Sequence, residues 1–149
     1  VDAGRKKKYT GEAQFTLPDG SIYEGSVRKG MIDGRGKQVF PDDRVYKGDF
    51  VLGQRHGVGE YTYPDGARYR GEFRDGVFEG SGVYVFPDGS TYDGEFRRGQ
   101  FEGEGTLQYT DGKKYVGDFQ HGEIEGKGTL TLSNGTKYKG TFRNGNYIN

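Results

Sequence analysis

Two histidines, His56 and His121, are the only imidazoles in the chain, and there is no cysteine. A metal centre needs three or four ligands brought together, and a nucleophilic triad needs a base beside its Ser or Cys. The two histidines fall in unrelated sequence contexts with no second ligand close by, which argues against a metal, a cofactor or His-based catalysis. Carboxylates such as Asp49, Glu72, Glu95 and Asp118 recur at a fixed spacing, but they alternate with Arg and Lys. That pattern reads as cross-strand salt-bridge partners rather than a general acid and base. Five Gly-x-Gly pairs are present, yet no helix-forming run follows any of them to cradle a phosphate. Asn134-Gly135-Thr136 fits a glycosylation sequon, and its setting reads as a hairpin turn. No enzymatic constellation emerges.

The elements that carry these residues repeat. Tyr-x-Gly occurs at Tyr23, Tyr46, Tyr69, Tyr92, Tyr115 and Tyr138, each 23 residues after the last. A period of this size marks an array of identical supersecondary units. The period places 28 of the 29 glycines, so the glycine content reflects repeated turns and strand positions rather than disorder. The array is expected over residues 9–149, with a partial repeat at 9–22, repeats starting at 23, 46, 69, 92 and 115, and a truncated one at 138. Residues 1–8 read as a flexible lead-in.

One repeat shows the local logic. Tyr69, Gly71 and Phe73 share one face of a strand, and Arg70, Glu72 and Arg74 share the other. In the second strand, expected from Gly80, Tyr84 and Phe86 lie on the same side as the glycines. The copies fill this apolar pair with Phe15/Leu17, Tyr61/Tyr63, Leu107/Tyr109 and Leu130/Leu132, and Gln38 beside Phe40 is the exception. Pro-Asp-Gly and Asn-Gly close the hairpins. Pro41-Asp42-Asp43 lacks the glycine and is expected to be the loosest turn. The result is an all-β fold: an elongated single-layer antiparallel β-meander of repeated hairpins, solenoid-like and twisted. Its aromatic side forms a groove, and strand glycines there let neighbouring rings lie on bare backbone. The triplet after each Gly76-type position reads as a variable connection. Its middle residue is Ile32, Phe78, Phe101, Ile124 or Tyr147, but Arg55 in one copy; these form an edge ridge that either closes the groove or lines a partner site.

Composition agrees with a thin sheet better than a thick core. Hydrophobic residues are 30% and mean hydropathy is −0.95, but aromatics reach 15%. Each buried ring removes roughly 150–250 Å² from water, and Tyr is expected to keep its hydroxyl in solvent. Net charge is zero, from 22 basic and 22 acidic residues, which weakens nucleic-acid and acidic-membrane readings. No run is long enough to cross a bilayer. With no signal peptide visible and no cysteine, a cytoplasmic location is the expectation.

These residues resemble the MORN repeat, a pattern of Tyr-x-Gly-x-aromatic, Gly-x-Gly, a short strand and an Asp-Gly-like turn. The aromatic is Phe50, Phe73, Phe96, Phe119 and Phe142, with Val27 in the first copy, where the family often has Trp. The resemblance implies a non-catalytic protein-interaction scaffold at a cytoskeletal, ciliary or membrane-associated structure. Its expected groove residues are Tyr61, Tyr63, Phe73, Tyr84, Phe86, Phe96 and Tyr109, taking an amphipathic or extended segment of a protein partner. Two alternatives stay open. One is phosphoinositide or anionic-phospholipid tethering through Lys6, Lys7, Lys8, Lys113 and Lys114; the other is homo-oligomer assembly through the terminal strands.

Overall fold

The computed structural model describes residues 9–149; the lead-in at 1–8, with Lys6, Lys7 and Lys8, lies outside the described residues. Two compact units divide between Val77 and Phe78. The first holds β1 (Gly11–Thr16), β2 (Ile22–Arg28), β3 (Met31–Val39), β4 (Val45–Val51), β5 (Gln54–Thr62) and β6 (Arg68–Arg74). The second holds β7 (Val77–Val85, from its second residue), β8 (Thr91–Arg97), β9 (Gln100–Gln108), β10 (Lys114–Gln120), β11 (Glu123–Thr131), β12 (Lys137–Arg143) and β13 (Asn146–Tyr147). Within each unit every strand pairs antiparallel with its neighbours in sequence. The described residues contain no helix. The all-β meander of hairpins is as expected.

Two turn types alternate. At the Pro-Asp-Gly type, Tyr63 N donates to Ala67 O at 2.9 Å, Gly66 N to Tyr63 O at 3.1 Å, and Ala67 N to Asp65 Oδ1 at 3.0 Å. The Pro41–Asp43 turn, expected to be the loosest, keeps the same set: Phe40 N to Arg44 O, Asp43 N to Phe40 O, and Arg44 N to Asp42 Oδ1, at 2.9, 2.9 and 3.2 Å. Asp43 takes the left-handed conformation, φ 74°, that glycine takes elsewhere; Asp tolerates it better than most residues.

The second turn differs from expectation. The triplet after Gly76 is no connection, because strand resumes at Val77, Met31, Gln54, Gln100 and Glu123. Two residues with positive φ, such as Arg98 at 52° and Gly99 at 82°, make the turn by themselves. Such a turn twists with the strands it joins, as a two-residue hairpin loop must. The loop that spacing suggested is absorbed by a β-bulge further along: between Gly48 and Phe50, opposite Gly59 and Arg55, the register slips. Gly57 sits in that bulge at φ 75°, a conformation few side chains adopt.

Candidate partner-binding face

The face is built on a ladder of rings. Tyr46 meets Phe50 edge-on at 5.0 Å and 85°, and meets Phe73 of the next repeat at 5.0 Å and 83°. Tyr23 meets Phe50 at 5.3 Å, and Tyr69 meets Phe73 at 5.1 Å. The second unit repeats it: Tyr92 with Phe96 and Phe119, then Tyr115 with Phe119 and Phe142, at 4.9–5.3 Å. These are favoured quadrupole geometries, each worth about 0.5–1.5 kcal/mol beyond burial. Tyr23, Tyr46, Tyr69, Tyr92 and Tyr115 are fully buried.

The glycines make the ladder possible. A methyl group at Gly59 would land on the Tyr46 ring, and one at Gly105 on the Tyr92 ring, within 2.5 Å of a ring carbon in each case. The ring therefore lies on bare backbone, as read from the sequence. The hydroxyls do not lie in solvent, however, and this corrects the expectation that Tyr would keep them wet. Tyr23, Tyr46, Tyr69, Tyr92 and Tyr115 donate to the carbonyl three residues on (Ser26, Asp49, Glu72, Glu95 and Asp118) at 2.6–2.9 Å. Burial pushes the phenols of Tyr23, Tyr92 and Tyr115 up to about 12 and raises Tyr46 and Tyr109 as well.

The recurring carboxylates are tied to backbone as much as to cations. Oδ2 of Asp49 accepts from Val58 N at 3.2 Å, Glu95 from Glu104 N at 2.9 Å, and Asp118 from Lys127 N at 3.2 Å. Each serves the bulge of the paired strand. Asp49 also makes the expected cross-strand bridge, to Arg35 at 3.3 Å. A second set was missed: Asp33, Glu79, Glu102 and Glu125 accept the turn N–H of Leu52, Arg98, His121 and Asn144 at 2.7–3.3 Å. Their nineteen-residue offset was legible as recurring acids just before Gly-x-Gly. His121 is thereby a turn residue, and His56 occupies the place of those acids. Among the described residues no three His, Asp or Glu converge on a metal-sized site.

Above the ladder lies an outer row, and here the expected residues separate. Tyr61, Phe73 and Phe96 are 3–4% exposed; Phe73 and Phe96 are ladder rungs, and Tyr61 packs on Tyr46 at 6.4 Å. Tyr63, Tyr84, Phe86 and Tyr109 are half-buried and present themselves at the face. The ridge residues stand opposite the Phe rungs, Phe96 against Phe101 and Phe119 against Ile124, so they belong to the aromatic face. Phe101 is its hub in the second unit. It stacks on Tyr92 at 3.9 Å and 12° and touches Tyr84, Phe86, Phe96 and Phe119 at 5.5–6.3 Å. Ile32 is buried, while Phe78, Phe101 and Ile124 are half-buried.

Two arginines change the outer row of the first unit. Arg44 lies 4.5 Å over the Phe40 ring, donates to Tyr61 Oη at 2.7 Å and pairs with Asp42 at 2.8 Å. Arg55, in the ridge position, lies 5.3 Å over Tyr61 and 5.9 Å over Tyr46. Of the lysines, Lys113 Nζ sits 4.4 Å over the Tyr109 ring, and Lys114 is exposed. No helix among the described residues is long and apolar enough to cross a membrane.

The repeat family described as MORN repeat matches residues 23–43, 46–68, 69–91, 92–114 and 115–137. None of the curated proteins matches. Among solved structures, similarity is found to the wild-type TCP10 domain of Danio rerio CPAP in complex with a peptide of Danio rerio STIL. There identity is 17%, over 85% of this chain and 67% of that one, with a TM-score of 0.42. The SAS-4 (dCPAP) TCP domain of Drosophila melanogaster, in complex with a proline-rich motif of Ana2, gives 18% identity over 88% and 90%, with a TM-score of 0.39.

Proposed function

This chain belongs to the MORN repeat family, and on that premise we propose that it is a non-catalytic scaffold whose aromatic face takes a segment of a partner protein. The observation that carries the proposal is the outer row of the second unit. Tyr84, Phe86, Phe101, Leu107, Tyr109 and Leu130 are all half-buried; Phe101 stacks on the ladder ring Tyr92 and carries Tyr84 and Phe86 against it. Contiguous apolar surface of this kind marks interaction sites on soluble proteins. Flat rings with few torsions make good anchors, since little side-chain entropy is lost on docking. In this reading Tyr84, Phe86 and Tyr109 touch the partner, with Tyr63 their counterpart in the first unit. Tyr61, Phe73 and Phe96 form the layer beneath that fixes their height. The cytoskeletal, ciliary or membrane-associated setting rests on the family resemblance.

Capture from cell lysate tests it, comparing the chain with a Tyr84→Ser/Tyr109→Ser variant whose β-sheet circular dichroism is unchanged. The proposal expects a protein held by the first and lost by the second. Recovery of the same proteins by both would overturn it.

A further inference from the structure

The first unit carries a second concave surface, on the side of its strands away from the rings. A concavity of about 390 Å³ opens there across β3, β4 and β5, lined by Lys37, Val39, Val45, Lys47, Glu60 and Thr62. Register builds it from two rungs, with Lys37 across from Lys47 and Val39 across from Val45. Like charges set directly opposite each other destabilise a sheet. Among the pairs described, no other rung of that row does this: Glu60 is across from Arg70, Val83 from Asp93, Thr106 from Val116 and Thr129 from Lys139. Glutamates stand on the outer sides of the lysine pair, Glu24 across from Lys37 and Glu60 across from Lys47. Among the described residues neither lysine forms an ion pair, and Glu60 has Arg70 on its other side. The row from Glu24 to Arg70 therefore holds three cations and two carboxylates. Beside the lysines runs an apolar strip: Val39, Val45 and Thr62 are half-buried, and Ile22, across from Val39, is 44% exposed.

Lys37 and Val39 are two residues apart on one strand, a distance of about 7 Å. Side chains i and i+2 on one side of an extended segment have the same spacing. A segment lying along β3 and β4 thus sets a carboxylate between the two lysines while an apolar side chain rests on the two valines. We propose that this concavity docks an extended segment of a partner protein, with an acidic residue and a β-branched aliphatic one two positions apart. The carboxylate relieves the repulsion between Lys37 and Lys47, and the aliphatic side chain covers the valine rung. The site uses none of the aromatic rings, so it stands or falls separately from the docking reading above and gives the scaffold a second recognition face.

The test follows the methyl resonances of Val39 and Val45 in the full chain during titration with acetyl-Ser-Glu-Thr-Val-Ser-amide, with the Gln peptide in place of Glu, and with hexanoate. The expected result is a saturable shift with the Glu peptide and binding about fivefold weaker with Gln, as the loss of two part-exposed ion pairs implies. Lys37→Thr/Lys47→Val copies the rung of Thr106 and Val116, so it is expected to keep the fold and lose the preference for Glu. Should it unfold, Lys37→Gln/Lys47→Gln, which removes both charges at nearly the same length, takes its place. Tyr84→Ser/Tyr109→Ser is expected to bind the Glu peptide as the unsubstituted chain does. Equal binding of the Glu and Gln peptides overturns the proposal. A shift with hexanoate but with neither peptide overturns it in favour of a small amphipathic anion. Shifts at the Tyr84 and Tyr109 rings in place of Val39 and Val45 overturn it and leave the docking reading standing, and no shift with any of the three overturns it outright.

Discussion

The two units are written on one period, yet they finish their aromatic faces differently. In the first, Ile32, Gln38, Phe40 and Tyr61 are all buried to 8% exposure or less, closed over by Arg44 and by contacts such as Phe40 to Tyr61 at 6.1 Å. In the second, the matching residues Phe78, Tyr84, Phe86, Phe101, Leu107 and Tyr109 are half-buried, a state that Phe15, Leu17, Arg55 and Tyr63 share in the first. The ladder below is the same in both, with ring spacings near 5 Å. The period therefore specifies the fold through the ladder, and the outer row is where copies diverge and where recognition can be tuned.

The comparison breaks most easily at the ladder. Tyr46→Ala and Tyr92→Ala should each cost about 3–5 kcal/mol, as large-to-small changes in packed cores do, and by similar amounts because the rungs are alike. Chemical denaturation of the two variants measures this, and a small loss in one would show that the ladders differ. Next come Gly59→Ala and Gly105→Ala, whose new methyl groups meet the Tyr46 and Tyr92 rings. Overpacking of that kind costs about 1–3 kcal/mol, read as a lowered melting temperature.

The outer row should then separate the units. Tyr61→Ala is expected to lose about 3 kcal/mol, having a buried ring, while Tyr84→Ala loses less, about 2 kcal/mol, since part of its surface is already in water. Equal losses would contradict the difference between the two faces.

The ladder phenols give a pH signature. Free tyrosine ionises near pH 10, whereas Tyr23, Tyr92 and Tyr115 are held up to about 12 by burial. The folded state then binds more protons than the unfolded state above pH 10. The stability contribution is complete below that value and is lost as pH rises through about 12. Phenolate absorbance of the native chain should lag that of the denatured chain across this window, and coincident titrations would place those hydroxyls in water.

Much of this was legible in the residues. Tyr-x-Gly every 23 positions and the alternation of Tyr69, Gly71 and Phe73 suffice for the hairpins and the aromatic side. The seven expected groove residues all lie on that side, but alternation cannot say which rings are rungs and which stand proud. That depends on register: Tyr84 pairs with Tyr92, and the first-strand member of each pair goes under. The bulge at Gly57 was invisible because the glycine that permits it resembles a loop glycine, so three strand residues read as a connection. The role of Tyr over Phe at the head of each repeat could have been found. Six tyrosines without one substitution point to a task for the hydroxyl, and in five of them it has a fixed carbonyl acceptor, while Tyr138 is exposed.

The most direct measurement is a tyrosine-iodination footprint, read by mass spectrometry on the chain alone and with a captured partner. Tyr84 and Tyr109 should react in the free chain and be protected in the complex, while Tyr92 and Tyr115 stay unreactive in both. Reaction of Tyr92 to the same extent as Tyr84, or no protection of Tyr84 and Tyr109 by the partner, would contradict a closed ladder carrying an open recognition row.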